Sequence, residues 1–231
     1  MKFPRFDMER MQSTWEHKVK YDLSESGVEA LTLEEITRDP KELMRTKLGY
    51  AEGVGREATR ALVAGIHSGH DADDVMITTG TSEANFLALS SLVNAGDEVV
   101  IVMPNYMQVH GVATALGARV REVWLREERA WTIDLDALAA AVNARTRVVC
   151  VCQPNNPTGQ ILSQAEVQSV VRIANRVGAW ILADEVYRGA ERSAEESPSF
   201  SGRGERIVVT GGLSKVYGLP GLRVEIGRAH V

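Results

Sequence analysis

From residue 74 onward, short apolar runs alternate with longer stretches in which apolar positions recur every three or four residues. The short runs lie at residues 75–78, 98–103, 119–125, 147–152, 180–183 and 207–210. They are bounded by polar or glycine-containing turns, which is the signature of strands. Between them, residues 82–93, 107–116, 135–143 and 165–177 show helical spacing, and Ser163 with Glu166 opens the last in capping-box register. Apolar strands separated by amphipathic helices predict a mostly parallel sheet covered on both faces. The expected fold is therefore α/β, a three-layer α/β/α domain.

The stretch before residue 74 breaks this rhythm. Residues 7–20 are polar with scattered Met8, Met11, Trp15 and Val19, an amphipathic or partly extended arm that has no core of its own. Residues 21–27 read as a strand running into a turn at Gly27, and Thr32 with Glu35 has the spacing of a capped short helix. A glycine-rich turn at residues 49–55 leads into a helix at 56–70, with Ala58, Leu62, Val63 and Ile66 predicted on one face.

Composition narrows the classes. The chain has 231 residues, 44% hydrophobic and 25% charged, ordinary for one soluble globular core. No apolar run reaches the length of a membrane-spanning helix, and the first residues lack the apolar core of an export signal, so the expected location is the cytoplasm. A net charge of -5 with acids and bases interleaved argues against a nucleic-acid partner. Cys150 and Cys152 lie two apart in an apolar strand, on one face and too near in sequence for an easy bridge; buried free thiols are expected. His67 and His70 have no acidic or thiol partner at matching spacing, so no metal site is expected.

In parallel sheets of this kind ligands bind beyond the carboxyl ends of the strands. The unusual residues fall there. Thr79-Gly80-Thr81-Ser82 follows the first strand and feeds a helix start, either an anion cradle or an ordinary cap. Tyr106 follows the second, as a stacking platform or a core edge. Gln153-Pro154-Asn155-Asn156-Pro157-Thr158-Gly159 follows the fourth, and its prolines make a rigid mount for an amide. Asp184-Glu185-Val186-Tyr187 follows the fifth, where a carboxylate entering a crevice needs a cationic or hydrogen-bonding partner. Gly212-Leu213-Ser214-Lys215 follows the sixth, with Arg223 eight residues on, and places a lysine where its amine would be desolvated and nucleophilic. A phosphate cradle, a ring platform, an amide, a phenol, a carboxylate and a lysine together fit pyridoxal 5'-phosphate: the amine forms the imine, and the carboxylate keeps the ring nitrogen protonated.

The chain resembles the fold-type-I pyridoxal-phosphate enzymes, specifically the class I/II aminotransferases of the aspartate aminotransferase superfamily. The motifs that carry the resemblance are Asn156-Pro157-Thr158-Gly159, Asp184-Glu185-Val186-Tyr187, Ser214-Lys215 and Arg223, and it runs from about Tyr21 to Val224. It implies that Lys215 is the cofactor-bearing lysine and proton shuttle, that Asp184 pairs with the ring nitrogen, and that Asn156 and Tyr187 bind the ring hydroxyl. It implies Tyr106 stacked on the ring and Thr81, Ser82, Ser214 and Arg223 around the phosphate. Tyr50 would reach the phosphate of a neighbouring subunit in a homodimer, and the backbone of Gly27 would lie near the substrate.

The resemblance also implies an organisation. Residues 1–48 would be an arm with part of the substrate-binding small domain, and residues 49–225 the cofactor-binding large domain, incomplete. The C-terminal small domain, with the arginine that grips the substrate carboxylate, is expected to be missing from this chain, and residues 226–231 read as a non-native tail. Gly212 stands where many members have a serine. The implied activity is transfer of an amino group between an amino acid and a 2-oxo acid, with a carbon-sulfur lyase of the same fold as the alternative. The fragment as written is expected to be inactive, its activity belonging to the parent enzyme. A non-catalytic domain fused to a DNA-binding module is disfavoured, since no helix-turn-helix pattern or basic segment precedes the fold.

Overall fold

The computed structural model describes residues 2–66, 70–192 and 195–229. Its strands are β1 (Val75–Thr78), β2 (Glu98–Met103), β3 (Arg119–Trp124), β4 (Thr146–Cys152), β5 (Trp180–Asp184), β6 (Ile207–Gly212) and β7 (Glu225–Ala229). They form one sheet in the order β1-β7-β6-β5-β4-β2-β3. The β3/β2, β2/β4, β4/β5 and β5/β6 pairs are parallel, and β7 runs antiparallel between β1 and β6. β7 contains residues on both sides of the boundary expected at 225/226, while His230 and Val231 lie outside the described residues.

The helices among the described residues are α1 (Asp7–Trp15), α2 (Leu33–Ile36), α3 (Pro40–Met44), α4 (Glu57–Ala64), α5 (Thr81–Leu92), α6 (Met107–Ala115), α7 (Leu135–Ala141) and α8 (Gln164–Asn175). Because side chains alternate along a strand, each central strand serves two cores. Val99, Ile101 and Met103 of β2, Val148 and Cys150 of β4 and Leu182 of β5 pack with Leu89 of α5 and Val109, Val112 and Ala113 of α6. Val100, Val102, Val149, Val151, Ile181 and Ala183 point the other way, against Leu138 of α7, Val167, Val170 and Ala174 of α8, and Phe200. The three expected layers are thus α5/α6, sheet and α7/α8. Every residue of β2 is buried, whereas β3, at the edge, exposes Arg119, Arg121 and Glu122, charges that discourage further strand pairing.

Glu98 shows how a buried charge is kept at the amino end of this sheet. It is 1% exposed and accepts hydrogen bonds from Asn143 Nδ2 (2.7 Å), Arg121 Nε (2.6 Å) and Arg145 Nε (2.7 Å). The Asn143 hydrogen bond first, and the Arg121 pair after it, hold its carboxyl down at about 2. This network ties β2 to β3 and to the turn before β4, at the end opposite the crevice.

Two expectations for the first part of the chain change. Residues 21–27 form no strand; the following segment docks instead on the loop after β6, through Val28 N–H to the Lys215 carbonyl (3.0 Å) and Leu31 N–H to the Gly218 carbonyl (2.8 Å). α4 is shorter than the helix read at 56–70, and Leu62 and Ile66 are exposed. Its buried residues are Val63 and Ala64, which meet Val75 and Ile77, because β1 lies on that side of the helix. His67 lies outside the described residues. The capped turn at Thr32 and Glu35 is present, as is the one at Ser163 and Glu166.

Candidate active site

The carboxyl ends of β4, β5 and β6 come level with one another: Cys152 pairs in register with Asp184, and Asp184 with Thr210. The turns that follow open into a cleft of about 200 Å³ under the N-terminus of α5. Thr81, Ser82, Tyr106, Asn156, Asp184, Tyr187, Ser214, Lys215 and Arg223 all line it. Gly27 borders it, since a side chain there would meet Lys215 Cδ at 3.5 Å. Tyr50 does not line it and is fully exposed.

At the floor, Asp184 is buried. Its Oδ1 accepts from the Val186 N–H (3.1 Å) and its Oδ2 from Asn85 Nδ2 (3.1 Å). Two N–H donors on one carboxylate favour its charged form. Next to it, Glu185 points into the core behind the sheet, where Ser199 Oγ–H and Phe200 N–H donate to it, both at 2.7 Å. Burial pushes the Glu185 carboxyl up to about 7, against those two hydrogen bonds.

The loop after β4 divides its two asparagines. Asn155 builds the turn: its carboxamide accepts from Thr158 Oγ–H (2.7 Å) and donates to the Pro104 carbonyl (3.1 Å). Asn156 faces the cleft and donates to the Tyr187 hydroxyl (3.3 Å), which itself donates to Ser26 Oγ (2.8 Å). Burial raises the Tyr187 phenol above its usual range, the Ser26 hydrogen bond opposing it. The peptide bonds before Pro154 and Pro157 are cis.

Lys215 differs from the dry amine expected of a strand-end lysine. Its side chain is 31% exposed and its Nζ lies 3.0 Å from Glu25 Oε1. That hydrogen bond, ahead of all other influences, lowers the Glu25 carboxyl below its ordinary value. On the facing wall, Tyr106 donates its hydroxyl proton to Glu9 Oε1 at 2.5 Å, and its ring meets Phe6 at 5.1 Å. Burial, then Glu9, drives the Tyr106 phenol upward.

The opposite end of the cleft is positive. Arg223 packs its guanidinium directly against Gly80, the residue before α5, and a Cβ on Gly80 would collide with Arg223 Nη2. Gly80 sits at φ +87, a backbone that favours glycine. An arginine and the start of a helix therefore converge on one spot, beside the Thr81 and Ser82 hydroxyls. That arrangement suits a phosphate. A cleft with an anion-binding end and a hydrogen-bonded carboxylate floor fits pyridoxal 5'-phosphate, an anion at one end and a protonatable ring nitrogen at the other.

Glu9, Gln12, Glu25, Ser26, Asn85 and Thr210 also belong to this constellation and were not assigned from the sequence. Asn85 did leave a signal, as the lone amide in the apolar stretch Ala84-Asn85-Phe86-Leu87-Ala88-Leu89. Glu9 and Glu25 left none, because nothing local marks a carboxylate that meets its partner across the fold.

Fold and cleft together are those of the pyridoxal-phosphate-dependent enzymes of fold type I. The chain belongs to the aminotransferase class I and II family, whose profile matches residues 19–227. It is 36% identical over 213 residues to capreomycidine synthase of Streptomyces vinaceus, covering 90% of this chain and 55% of that protein. It is 32% identical over 182 residues to the arginine–pyruvate transaminase of Pseudomonas aeruginosa, covering 76% and 46%. A pyridoxal-phosphate-dependent aminotransferase from Streptococcus suis superposes with a TM-score of 0.92 at 34% identity, over 99% of this chain and 63% of that one. The chain thus spans about half the length of the curated relatives it matches. Pyridoxal 5'-phosphate is the cofactor of this family and of this chain. No helix among the described residues is long and apolar enough to cross a membrane.

Proposed function

We propose that the protein carrying this chain is a transaminase, moving an amino group from an amino acid to a 2-oxo acid. The observation that carries the reading is the convergence, in one cleft, of the Lys215 amine, the hydrogen-bonded Asp184 carboxylate and the Arg223 guanidinium at the start of α5. Pyridoxal 5'-phosphate, when bound, supplies an electron sink that labilises the bonds to a substrate's α-carbon.

In this reading each residue of the cleft has a part. Arg223, Thr81, Ser82, Ser214 and the N–H groups opening α5 would hold the phosphate; Asp184 would keep the ring nitrogen protonated; Asn156 and Tyr187 would hold the ring oxygen; Tyr106 would cover a ring face. Lys215, whose amine reaches into the cleft, would hold the cofactor covalently. When free, its Nζ would move a proton at the substrate α-carbon, as a general base and acid in turn. The backbone at Gly27, beside Lys215, borders the substrate. The full exposure of Tyr50 suits a side chain that completes a neighbouring subunit's phosphate site in a homodimer. Residues 49–225 form the cofactor domain in this reading, and residues 1–48 its arm and part of the substrate wall. Buried, unbridged Cys150 and Cys152 are compatible with a reducing cytoplasm.

The relatives' names include arginine, pyruvate, aspartate and tyrosine, and so leave the side-chain preference open. The test is spectroscopic. The full protein titrated with pyridoxal 5'-phosphate acquires the absorption band of lysine-bound cofactor, and Lys215→Ala does not. An amino donor then bleaches that band, and an acceptor 2-oxo acid restores it. Identical spectra for both proteins overturn the lysine assignment; oxo acid released continuously without an acceptor favours a lyase.

A further inference from the structure

Behind Asp184 runs a chain of buried polar groups. Asn85, on α5, is 1% exposed and Thr210, at the end of β6, is 0% exposed. Thr210 Oγ–H donates to Asn85 Oδ1 at 3.0 Å, and Asn85 Nδ2 donates to Asp184 Oδ2 at 3.1 Å. An amide buried in an apolar helix face costs stability unless paired, so these bonds must offset that cost. They also set a direction. Were the amide turned over, its oxygen would face the carboxylate, acceptor against acceptor. With Thr210 donating on the far side, only the orientation that gives Asp184 an N–H satisfies all three groups.

We infer that Asn85, oriented by Thr210, is a positioning residue for the cofactor's ring nitrogen: it fixes the Asp184 carboxylate and keeps it ionised toward the ring. This rests on the reading that Asp184 faces that nitrogen. Three features support it. Asp184 carries a donor on each oxygen, Val186 N–H on Oδ1 and Asn85 on Oδ2, so its rotamer is held from two sides. A carboxylate in a low-dielectric site is worth most to a cation when it is already charged and already aimed. And Asn85 lies four residues after Thr81 on the same helix, so the element that opens the phosphate end also carries the group behind the ring-nitrogen end. One rigid helix thereby ties the two ends of the site together, a separation of roughly one turn, about 6 Å of rise.

The test separates a pull on the ring nitrogen from a general packing role. Cofactor dissociation constants are measured by absorbance titration of the full protein, with pyridoxal 5'-phosphate and with its 1-deaza analogue, in which carbon replaces the ring nitrogen. Asn85→Ala is expected to weaken the natural cofactor roughly 10- to 100-fold, as for a lost hydrogen bond to a charged group, and to leave the deaza analogue nearly unchanged. Thr210→Val, close in shape, follows in the same direction by about 2- to 10-fold. In the donor half-reaction kcat falls while the donor KM stays close to that of the parent. Equal losses for both cofactors overturn the inference and make Asn85 a packing residue. Asp184→Asn serves as the reference. If it too fails to distinguish the two cofactors, the assignment of Asp184 itself falls; if it distinguishes them and Asn85→Ala does not, only the inference falls. Should Asn85→Ala not fold, the Thr210→Val comparison decides alone.

Discussion

Glu25 and Lys215, 190 positions apart in the chain, meet with their carboxylate and amine 3.0 Å apart. The same Glu25 oxygen accepts the Gly27 N–H at 2.6 Å, so the carboxylate is held by backbone on one side and offered to the lysine on the other. An amine in an ion pair has its lone pair committed to a proton, and it must leave that pair before it attacks a carbonyl. Both side chains are partly exposed, so the pair is worth little. Glu25→Gln is accordingly expected to speed cofactor capture by Lys215 by about 2- to 5-fold, read in a stopped-flow record of the growing absorption band. An unchanged or slower rate would show that the pair does not restrain the amine.

Gly80→Ala is expected to weaken the cofactor at its phosphate end. The new Cβ occupies the space of Arg223 Nη2, and alanine tolerates a φ of +87 poorly. Displacing a charge-assisted contact predicts a loss of roughly 10- to 100-fold in affinity for pyridoxal 5'-phosphate. Pyridoxal without the phosphate should bind the two proteins alike. A variant that weakens both ligands equally has disturbed more than the phosphate end.

Glu185 makes stability depend on pH. Its carboxyl, ordinarily at 4.5, is raised by burial to about 7, so the folded protein prefers it protonated. A raised value means that this contribution is present in full below 4.5 and is lost as pH rises through 7. Urea midpoints of the chain should therefore fall between pH 5 and pH 8. Glu185→Gln, whose amide can still meet Ser199 and Phe200, should flatten that fall. A slope identical in the two proteins would remove Glu185 from the account.

The α/β/α architecture was legible because each central strand is apolar at successive positions, which only a sheet covered on both faces explains. That Lys215, Asp184 and Asn156 would share one cleft was legible for a related reason. Each follows a strand, and a polar group at the carboxyl end of a buried strand has few structural reasons to be there. What misled was the chain before residue 74. Leu62 and Ile66 carry a helical period, yet the face that meets β1 is that of Val63 and Ala64, a choice made by the strand and not by the helix.

Taken alone, the order of residues determined the layers, the strand ends and the chemical types gathered there, since local periodicity and steric turn preferences act between neighbours. Which carboxylate meets the lysine, which amide stands behind Asp184 and which glycine yields room to an arginine were decided only in three dimensions. Glu25 with Lys215, Asn85 with Asp184 and Gly80 with Arg223 are each separated by nearly a hundred residues or more. Charge, hydrogen bonding and excluded volume operate over a few ångströms of space, and the chain brings those groups within that range only by completing its sheet.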